Sequence, residues 1–245
     1  MLENVRLQEE FILSAVREIR RRLPRIGVRK IHYLLPQFGI SAGRDRLFNL
    51  LQRSGLLIDR RRSFRRTTNS YHRFHKYSNL IKDLVVVRPN QVFVSDITYL
   101  QTQEGFCYLA LVTDLFSRKI VGWDLSRSLS IESSQRALLQ ALSGVLDTAV
   151  LIHHSDRGIQ YCSQGYVEIL INKKVMISMT EENHCYENAV AERLNGILKD
   201  EFSLGQILAS FKTAQKLTQE AIRSYNNERP HSSLLYKTPS QCYAA

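Results

Sequence analysis

Apolar side chains recur at helical spacing through the first part of the chain. Residues 2–23 alternate apolar and charged positions with this period and are followed by a proline, which predicts an amphipathic helix. A second helix is predicted over 28–38 and is broken by Gly39. A third is predicted from Ser41, as its N-cap, to Gly55. Two short helices around a glycine turn indicate a helix-turn-helix.

The outward face of the third predicted helix is basic. In helix-turn-helix proteins the second helix of the motif presents its outward residues to DNA, and here these include Arg44, Arg46 and Arg53. We therefore interpret residues 1–57 as a helical DNA-binding region. Any arginine-rich helical hairpin has the same pattern, so a purely structural hairpin remains the alternative.

After Pro89 the apolar runs become short and are separated by turns. Strands predicted over 92–100, 107–114 and 119–125 form an antiparallel meander. Strand and helix then alternate, with strands predicted over 149–155 and 175–179 and helices over 130–145, 164–173 and 188–202. This order predicts an α/β fold with one mixed five-stranded sheet and helices on both faces, preceded by a small all-α region. We assign this unit to 91–205 and a helical C-terminal tail to 206–245.

Positive charge is concentrated at one end of the chain. The net charge is +11, and residues 1–88 hold 20 Lys and Arg against 7 Asp and Glu, whereas residues 89–245 hold 14 against 16. The basic end is expected to bind a polyanion such as nucleic acid; a solvated basic surface is the alternative. Residues 58–90, with Arg60, Arg61 and Arg62, are interpreted as a basic linker that either lies along DNA phosphates or acts as a flexible tether.

Composition excludes several other classes of protein. A chain of 245 residues can form a core without disulfides, and its four cysteines contain no CxxC pair that would indicate a zinc ribbon. No apolar run approaches the roughly 20 residues of a membrane span, so we expect a soluble, unexported, cytoplasmic protein. The spacing of His153, His154, His184 and Cys185 fits no zinc module.

Three acidic residues stand out by position. Asp96 lies inside an apolar strand, where an ionised side chain needs a compensating partner. Asp156 follows an apolar strand at the carboxyl edge of the predicted sheet, where α/β proteins build their sites. Glu192 shares a polar helix face with Lys199, two turns further on. Three converging carboxylates favour hard divalent cations, and two Mg²⁺ ions could activate an attacking oxygen and stabilise the leaving oxygen of a phosphodiester.

Each of these acids also has a structural interpretation. Asp96 could end a strand, Asp156 could cap the turn before Gly158, and Glu192 could be a solvated helix residue. Other acids compete for the same role or simply begin turns: Asp114, Glu181, Glu182, Glu187, Asp200 and Glu201. The pattern alone does not rank them.

Five sequence blocks occur in order along the chain. They read SDITYL, TDLFSRKIVGWDLS, HHSDRGIQYCS, CYENAVAERLNGILKDE and YNNERPHSSLLYKTP. Together they resemble the insertion-sequence transposases of the OrfB type, within the retroviral-integrase-like Asp-Asp-Glu superfamily. The 35 residues between Asp156 and Glu192 match the spacing of this branch, and the resemblance extends over about residues 25–243.

This resemblance implies a ribonuclease H-like integrase catalytic core. It implies that Asp96, Asp156 and Glu192 are metal ligands for two Mg²⁺ ions, with Mn²⁺ as a substitute, and that Lys199 contacts element-end DNA. His154 and Asn188 are interpreted as walls of the active site. The chain departs from the family pattern at two positions. Phe93 stands where a Trp is common, and Glu187 stands where an Asp often precedes the Asn, so no role is assigned to residue 187.

The resemblance also implies a reaction and its partners. The expected function is Mg-dependent cleavage at the 3′ ends of an insertion sequence, followed by strand transfer of the 3′-hydroxyl into target DNA. The expected partners are the terminal inverted repeats, the target DNA, a second protomer to pair two ends, and possible fusion to the product of an upstream reading frame; on DNA the protein would be associated with the nucleoid. The alternatives are a ribonuclease H-like nuclease without strand transfer and a catalytically inactive DNA-binding regulator, although the presence of all three acids argues against the latter.

Overall fold

Three helices pack together in the N-terminal part of the chain. The computed structural model describes residues 2–58, 74–181 and 189–244. The helical elements of this part are α1 (Leu2–Arg22), α2 (Val28–Leu34), a 3₁₀ turn (Leu35–Phe38) and α3 (Arg44–Arg53). Their apolar faces share one core that includes Val16, Ile31 and Leu47.

Two details of the predicted helix boundaries differ from the structure. The helix predicted over 28–38 becomes α2 and a 3₁₀ turn, because Pro36 has no N–H with which to continue the helical hydrogen bonds. The prediction of Ser41 as N-cap is wrong. Gly43 is the N-cap of α3, because its carbonyl accepts the first helical hydrogen bond from the amide of Leu47, at 2.9 Å. Gly39 ends the 3₁₀ turn at φ 71°, as predicted for a helix-breaking glycine.

The predicted mixed sheet of five strands is confirmed. Its strands are β1 (Val92–Thr102), β2 (Gly105–Asp114), β3 (Ile120–Ser126), β4 (Ile152–Ser155) and β5 (Met176–Met179). The spatial order is β3-β2-β1-β4-β5. Strand β2 pairs antiparallel with β1 and with β3, whereas β4 and β5 run parallel to β1. The β1–β2 hairpin is longer than predicted and turns at residues 103–104.

Helices cover both faces of the sheet. The remaining helices are α4 (Ile131–Ser143), α5 (Ile159–Cys162), α6 (Gln164–Asn172), α7 (Ala189–Glu201), α8 (Phe211–Asn227), a 3₁₀ turn (Ser232–Leu234) and α9 (Pro239–Tyr243). Phe93 and Ile97 of β1 pack with α4, α5 and α6, whereas Val94 and Leu100 face the side covered by α7 and α8. Because side chains alternate along a strand, Asp96 belongs to the α7 face. In the described ranges, no helix is both long enough and apolar enough to cross a membrane.

Strand β3 and helix α4 approach each other closely at Gly122. A Cβ atom at this position would overlap the carbonyl oxygen of Ala137 and lie 2.9 Å from the amide nitrogen of Ala141. We therefore expect Gly122→Ala to lower the free energy of unfolding by about 2–3 kcal/mol, because α4 must move off the sheet. Urea denaturation followed by circular dichroism measures this change.

Gly196 in α7 provides the matched control. A Cβ atom there meets nothing within 4 Å. Gly196→Ala should be neutral or stabilising, by up to ~1 kcal/mol, because alanine favours the helix. Equal stability of Gly122→Ala and the unchanged protein would contradict the close approach of β3 and α4.

Candidate active site

Strands β1 and β4 bring Asp96 and Asp156 to neighbouring positions. In their parallel pairing Val94 lies opposite His154 and Ser95 opposite Ser155, so each aspartate is one residue beyond the last paired position. Asp156 follows the carboxyl end of β4 directly. The two carboxyl groups are close enough for the charge of Asp156 to raise the pKa of Asp96. The sheet register therefore joins the two acids that the sequence separates.

Asp96 is half-buried beneath α7 and crowded by negative charge. Burial raises the pKa of the Asp96 carboxyl to about 8, and the charges of Asp156 and then Glu192 act in the same direction. A backbone hydrogen bond from Ile97 and the charge of Lys199 oppose the rise. Without a bound cation, the Asp96 carboxyl therefore carries a proton over much of the neutral pH range. The site has an excess of negative charge that a cation would relieve.

A side chain that the sequence analysis did not single out connects α7 to this carboxylate. Asn195 Nδ2 donates a hydrogen bond of 2.6 Å to Asp96 Oδ2. Asn195 is 8% exposed, and within the described ranges its Oδ1 has no hydrogen-bond partner. It lies one turn after Glu192 and one turn before Lys199. That i+3 spacing from Glu192 was the only signal in the sequence that could have identified it.

Helix α7 brings Glu192 and Lys199 to the same site. Glu192 is exposed in the first turn of the helix. The ammonium nitrogen of Lys199 lies 4.3 Å from the centre of the Tyr99 ring, within range of a cation–π interaction. Burial lowers the pKa of Lys199, whereas the charges of Asp96 and Asp200 raise it. In the described parts of the chain, no three His, Cys, Asp or Glu side chains are grouped closely enough to hold an ion as they stand.

Asp156 also has the structural role considered for it above. Its Oδ1 accepts a hydrogen bond of 2.9 Å from the amide of Gly158, so the side chain caps the turn that follows β4. A Cβ atom on Gly158 would lie 2.9 Å from the same oxygen, so a larger residue there would displace the Asp156 side chain. The carboxylate thus shapes the loop and contributes charge to the Asp96 site at the same time.

Two histidines of β4 are buried within the sheet. His153 Nε2 lies 2.8 Å from Ser95 Oγ and 2.9 Å from Tyr166 Oη. Burial, with a smaller effect of the adjacent His154, lowers the pKa of His153 to about 3, so its ring is neutral. His154 Nδ1 lies 2.8 Å from Ser178 Oγ of β5. These contacts link β4 to its neighbouring strands. The role of His154 as an active-site wall stays a prediction.

The acids that compete with the predicted trio have other surroundings. Asp114 is fully buried and accepts hydrogen bonds from the amides of Asn90 and Ser117, at 2.8 and 2.7 Å, and from the Ser117 hydroxyl at 2.5 Å. Asp114 therefore begins a turn, which is one of the two interpretations considered for it from the sequence. Glu201 forms ion pairs with two cations, and Asp200 and Glu181 are exposed. The predictions for Glu182, Glu187, Asn188, His184 and Cys185 fall outside the described residues.

The arginines predicted to contact DNA lie on the exposed side of α3. Arg46 donates to Gln8 Oε1 at 3.3 Å, and Arg53 pairs with Glu9 at 3.0 Å. Arg44 pairs with the adjacent Asp45 at 3.0 Å. Exposed pairs of this kind contribute little stability, so they can exchange for phosphate at small cost. The predictions for Arg60, Arg61 and Arg62 concern residues that the structure does not describe.

The sequence is similar to known integrase-core proteins over most of its length. Two family models described as an integrase core domain match residues 86–185 and 173–239. The chain is 38% identical over 210 residues to an uncharacterized 31 kDa protein of insertion element IS600 from Shigella sonnei, covering 85% of this chain and 77% of that protein. It is 34% identical over 220 residues to the transposase for insertion sequence element IS904 from Lactococcus lactis subsp. lactis (strain IL1403), covering 88% and 86%.

The fold has a counterpart among solved structures. The HTLV-2 integrase catalytic core domain, solved in complex with magnesium in a trimeric form, aligns with a TM-score of 0.50 at 20% identity. The alignment covers 64% of this chain and 98% of that one. This likeness confirms the predicted ribonuclease H-like α/β fold. With relatives of this similarity along most of their length, the chain belongs to the family of bacterial insertion-sequence transposases that carry an integrase core domain.

Proposed function

We propose that this transposase cleaves the 3′ ends of its insertion sequence and transfers the freed 3′-hydroxyls into target DNA, in a reaction that depends on Mg²⁺. Membership of the family supports a polynucleotidyl transferase. The observation that carries the finer proposal is the convergence of acids, because the register of β1 and β4 sets Asp96 beside Asp156 and the charges of Glu192 and Lys199 on α7 act on the same carboxyl. Such crowding of like charge has no structural benefit and is expected where a site is built for cations.

The donor atoms of the site fit a hard divalent cation. The three candidate ligands, Asp96, Asp156 and Glu192, offer only carboxylate oxygens, which Mg²⁺ prefers. The HTLV-2 integrase core with this fold was solved with magnesium, which supports a divalent metal here. We assign these three residues as ligands of two Mg²⁺ ions, with Mn²⁺ as a substitute. Bound ions would activate the attacking oxygen and stabilise the charge on the leaving oxygen of a phosphodiester.

The remaining side chains of the site orient these acids and the DNA. The hydrogen bond from Asn195 fixes one oxygen of Asp96 at 2.6 Å, so the carboxylate has a defined orientation before any ligand binds. Lys199, steadied over the Tyr99 ring, supplies a positive charge beside Asp96 for a phosphate of the element end. His154 would form part of the wall that closes the site.

The basic N-terminal part would hold the DNA. The exposed arginines of α3 are suited to phosphate and base contacts, and the linker arginines would extend the contact along the backbone. We propose that the bound DNA is the terminal inverted repeats and the target. Pairing two ends requires at least two protomers on DNA, and the trimeric form of the HTLV-2 core is consistent with assembly in this fold. Fusion to the product of an upstream reading frame would add further DNA contacts.

A strand-transfer assay with purified protein tests the proposal. Duplex oligonucleotides carry the inverted repeats that border the gene, either uncleaved or with a pre-formed 3′-hydroxyl, and supercoiled plasmid serves as target in Mg²⁺. Joining of the pre-formed ends to plasmid supports the transposase. Cutting without joining would indicate a nuclease, and binding without either reaction would indicate a DNA-binding regulator.

The three proposed ligands should each be required in this assay. We expect Asp96→Asn, Asp156→Asn and Glu192→Gln to reduce cleavage and joining by at least about 10³-fold, because ion-mediated stabilisation is worth several kcal/mol. DNA binding in gel shifts should persist. Glu220→Gln, an exposed position on α8, is the control and should stay within about twofold. Full activity of any one acid variant would remove that residue from the ligand set.

The stability of the metal-free protein should depend on Asp96. Because the carboxyl keeps its proton up to about pH 8 when folded but loses it near pH 4 when unfolded, wild-type stability falls as pH rises through this range. Asp96→Asn removes this loss, so in EDTA its Tm should exceed that of the wild type by ~3–6 °C at pH 8 and by less at pH 5.

Scanning calorimetry with and without Mg²⁺ measures both effects. Mg²⁺ should raise the Tm of the wild type and have little effect on Asp96→Asn, since the variant lacks a proposed ligand. Asp147→Asn, an exposed position, is the control for the loss of one carboxylate. Parallel dependence of Tm on pH for the wild type and Asp96→Asn would contradict the assignment of the raised pKa.

A further inference from the structure

A group of charged side chains joins the N-terminal helices to the end of α7 and to the C-terminal tail. We call Lys30, Glu201 and Arg229 the Glu201 cluster. Glu201 Oε1 lies 3.1 Å from Lys30 Nζ and 2.6 Å from Arg229 Nη2, and its Oε2 accepts from Arg229 Nε at 2.8 Å. One carboxylate therefore binds cations from α2 and from the segment after α8 at once.

The cluster is largely shielded from solvent. Arg229 is 2% exposed, and the side chains of Lys30 and Glu201 are 17% and 20% exposed. Burial alone would raise the pKa of Glu201, but its hydrogen bonds and charge pairing with Arg229 and Lys30 lower it overall. Burial lowers the pKa of Lys30, which Glu201 counteracts. Buried pairs of this kind are costly to break, because each partner would be left as an uncompensated charge.

Further contacts cross at the same place. The amide of Arg25 donates to the main-chain carbonyl of Glu201 at 3.0 Å, which fixes the backbone as well as the side chain. The ring of Tyr33 stacks on that of Tyr236 with centroids 4.7 Å apart. Phe202 packs against the core of the N-terminal helices and against the core beneath α7 and α8. The helical region and α7 are thus joined by ionic, main-chain and aromatic contacts.

These contacts, which we call the joint, connect the two surfaces that the proposed reaction needs, namely the DNA-binding face of α3 and the active site. Helix α7 carries Glu192, Asn195 and Lys199, and Glu201 is its last residue. The other side of the joint is the helical bundle that presents α3. DNA held on α3 would therefore meet the active site at a fixed offset, and one base pair corresponds to about 3.4 Å of that offset.

We infer that the Glu201 cluster determines which phosphodiester of the element end enters the active site, by fixing the position of the helical region relative to α7. Lys30, Glu201 and Arg229 are thus positioning residues, which act through the placement of α7 and not on the reacting atoms. The inference rests on the proposed function, because it needs both cleavage at Asp96 and DNA contact through α3.

Lys30→Met is the direct test. It removes the cation supplied by the helical region, keeps a side chain of similar length, and leaves the Arg229–Glu201 pair intact. On labelled uncleaved element ends in Mg²⁺, mapped on a sequencing gel, we expect total cleavage within about twofold of the wild type. The fraction of cuts displaced by about one to three nucleotides should rise at least about threefold, because a small misplacement redirects the reaction.

Two controls separate positioning from a general effect. Lys30→Arg retains the charge and should restore the single cleavage position. Lys216→Met makes the same chemical change at an exposed position on α8 and should cut as the wild type does. If Lys30→Met does not fold, as judged by its thermal transition, Tyr33→Leu loosens the same joint at a half-exposed ring and should spread the cleavage positions instead.

The outcomes distinguish the inference from the proposed function. Cleavage by folded Lys30→Met and Tyr33→Leu at the single wild-type position would overturn the positioning role while leaving the transposase proposal intact. Absence of any cleavage or joining by the wild type on its own element ends would overturn the proposed function itself. Displaced cuts that Lys30→Arg corrects would support the Glu201 cluster as the determinant of cleavage position.

Discussion

The arrangement of the core depends on the carboxyl group of Asp96, which is partly buried beside those of Asp156 and Glu192. Asp96 is on the α7 face of β1 because of strand alternation, and the register with β4 brings Asp156 next to it. Charge repulsion alone would push α7, with Glu192, away from the sheet. The hydrogen bond from Asn195 and the charge of Lys199 act against this, so the same helix that adds a third acid also supplies the groups that hold it in place.

The two ends of α7 differ in charge balance. Near its start, carboxylates outnumber cations and Asp96 retains a proton at neutral pH. At its end, two cations bind a single carboxylate, and the pKa of Glu201 is lowered as a result. Sites that violate electrostatic balance are usually functional, whereas balanced buried clusters are usually structural. A rigid, compensated anchor at one end of α7 allows the uncompensated site at the other end to keep its geometry.

Much of the fold could be predicted because it is encoded locally. Periodicity gave the five strands and their neighbouring helices, and the position of Asp96 within an apolar strand already indicated an unusual carboxylate. Helix starts were less predictable, since Ser41 has the chemistry of an N-cap but the first helical hydrogen bond forms at Gly43. The pattern also could not separate Asp114 from Asp156, because both follow strands. In the structure three hydrogen bonds surround the buried Asp114, whereas Asp156 caps a turn and also acts on the Asp96 carboxyl.

Contacts between elements that are far apart in the chain could not be predicted from the sequence. Lys30 and Glu201 are 171 positions apart, and no local pattern indicates that α2 meets the end of α7. Asn195 is one of many polar residues on a helix face until its partner on β1 is known. Similarity of fold limits the reactions to consider, but such contacts determine where the reacting groups lie.

The charge of Lys199 connects the metal-free site to the proposed complex with DNA. In the absence of ions, Lys199 is the nearby cation that lowers the pKa of Asp96, and its ammonium is held over Tyr99. Because Asp96 keeps its proton there, the carboxylates of Asp156 and Glu192 and one ammonium leave excess negative charge, which repels a phosphodiester. Two divalent cations would displace the proton of Asp96 and reverse the sign, so that the site attracts phosphate and the ions, not Lys199, compensate the Asp96 carboxylate. The same lysine then becomes available to the DNA backbone, which would make ion binding and DNA binding mutually reinforcing.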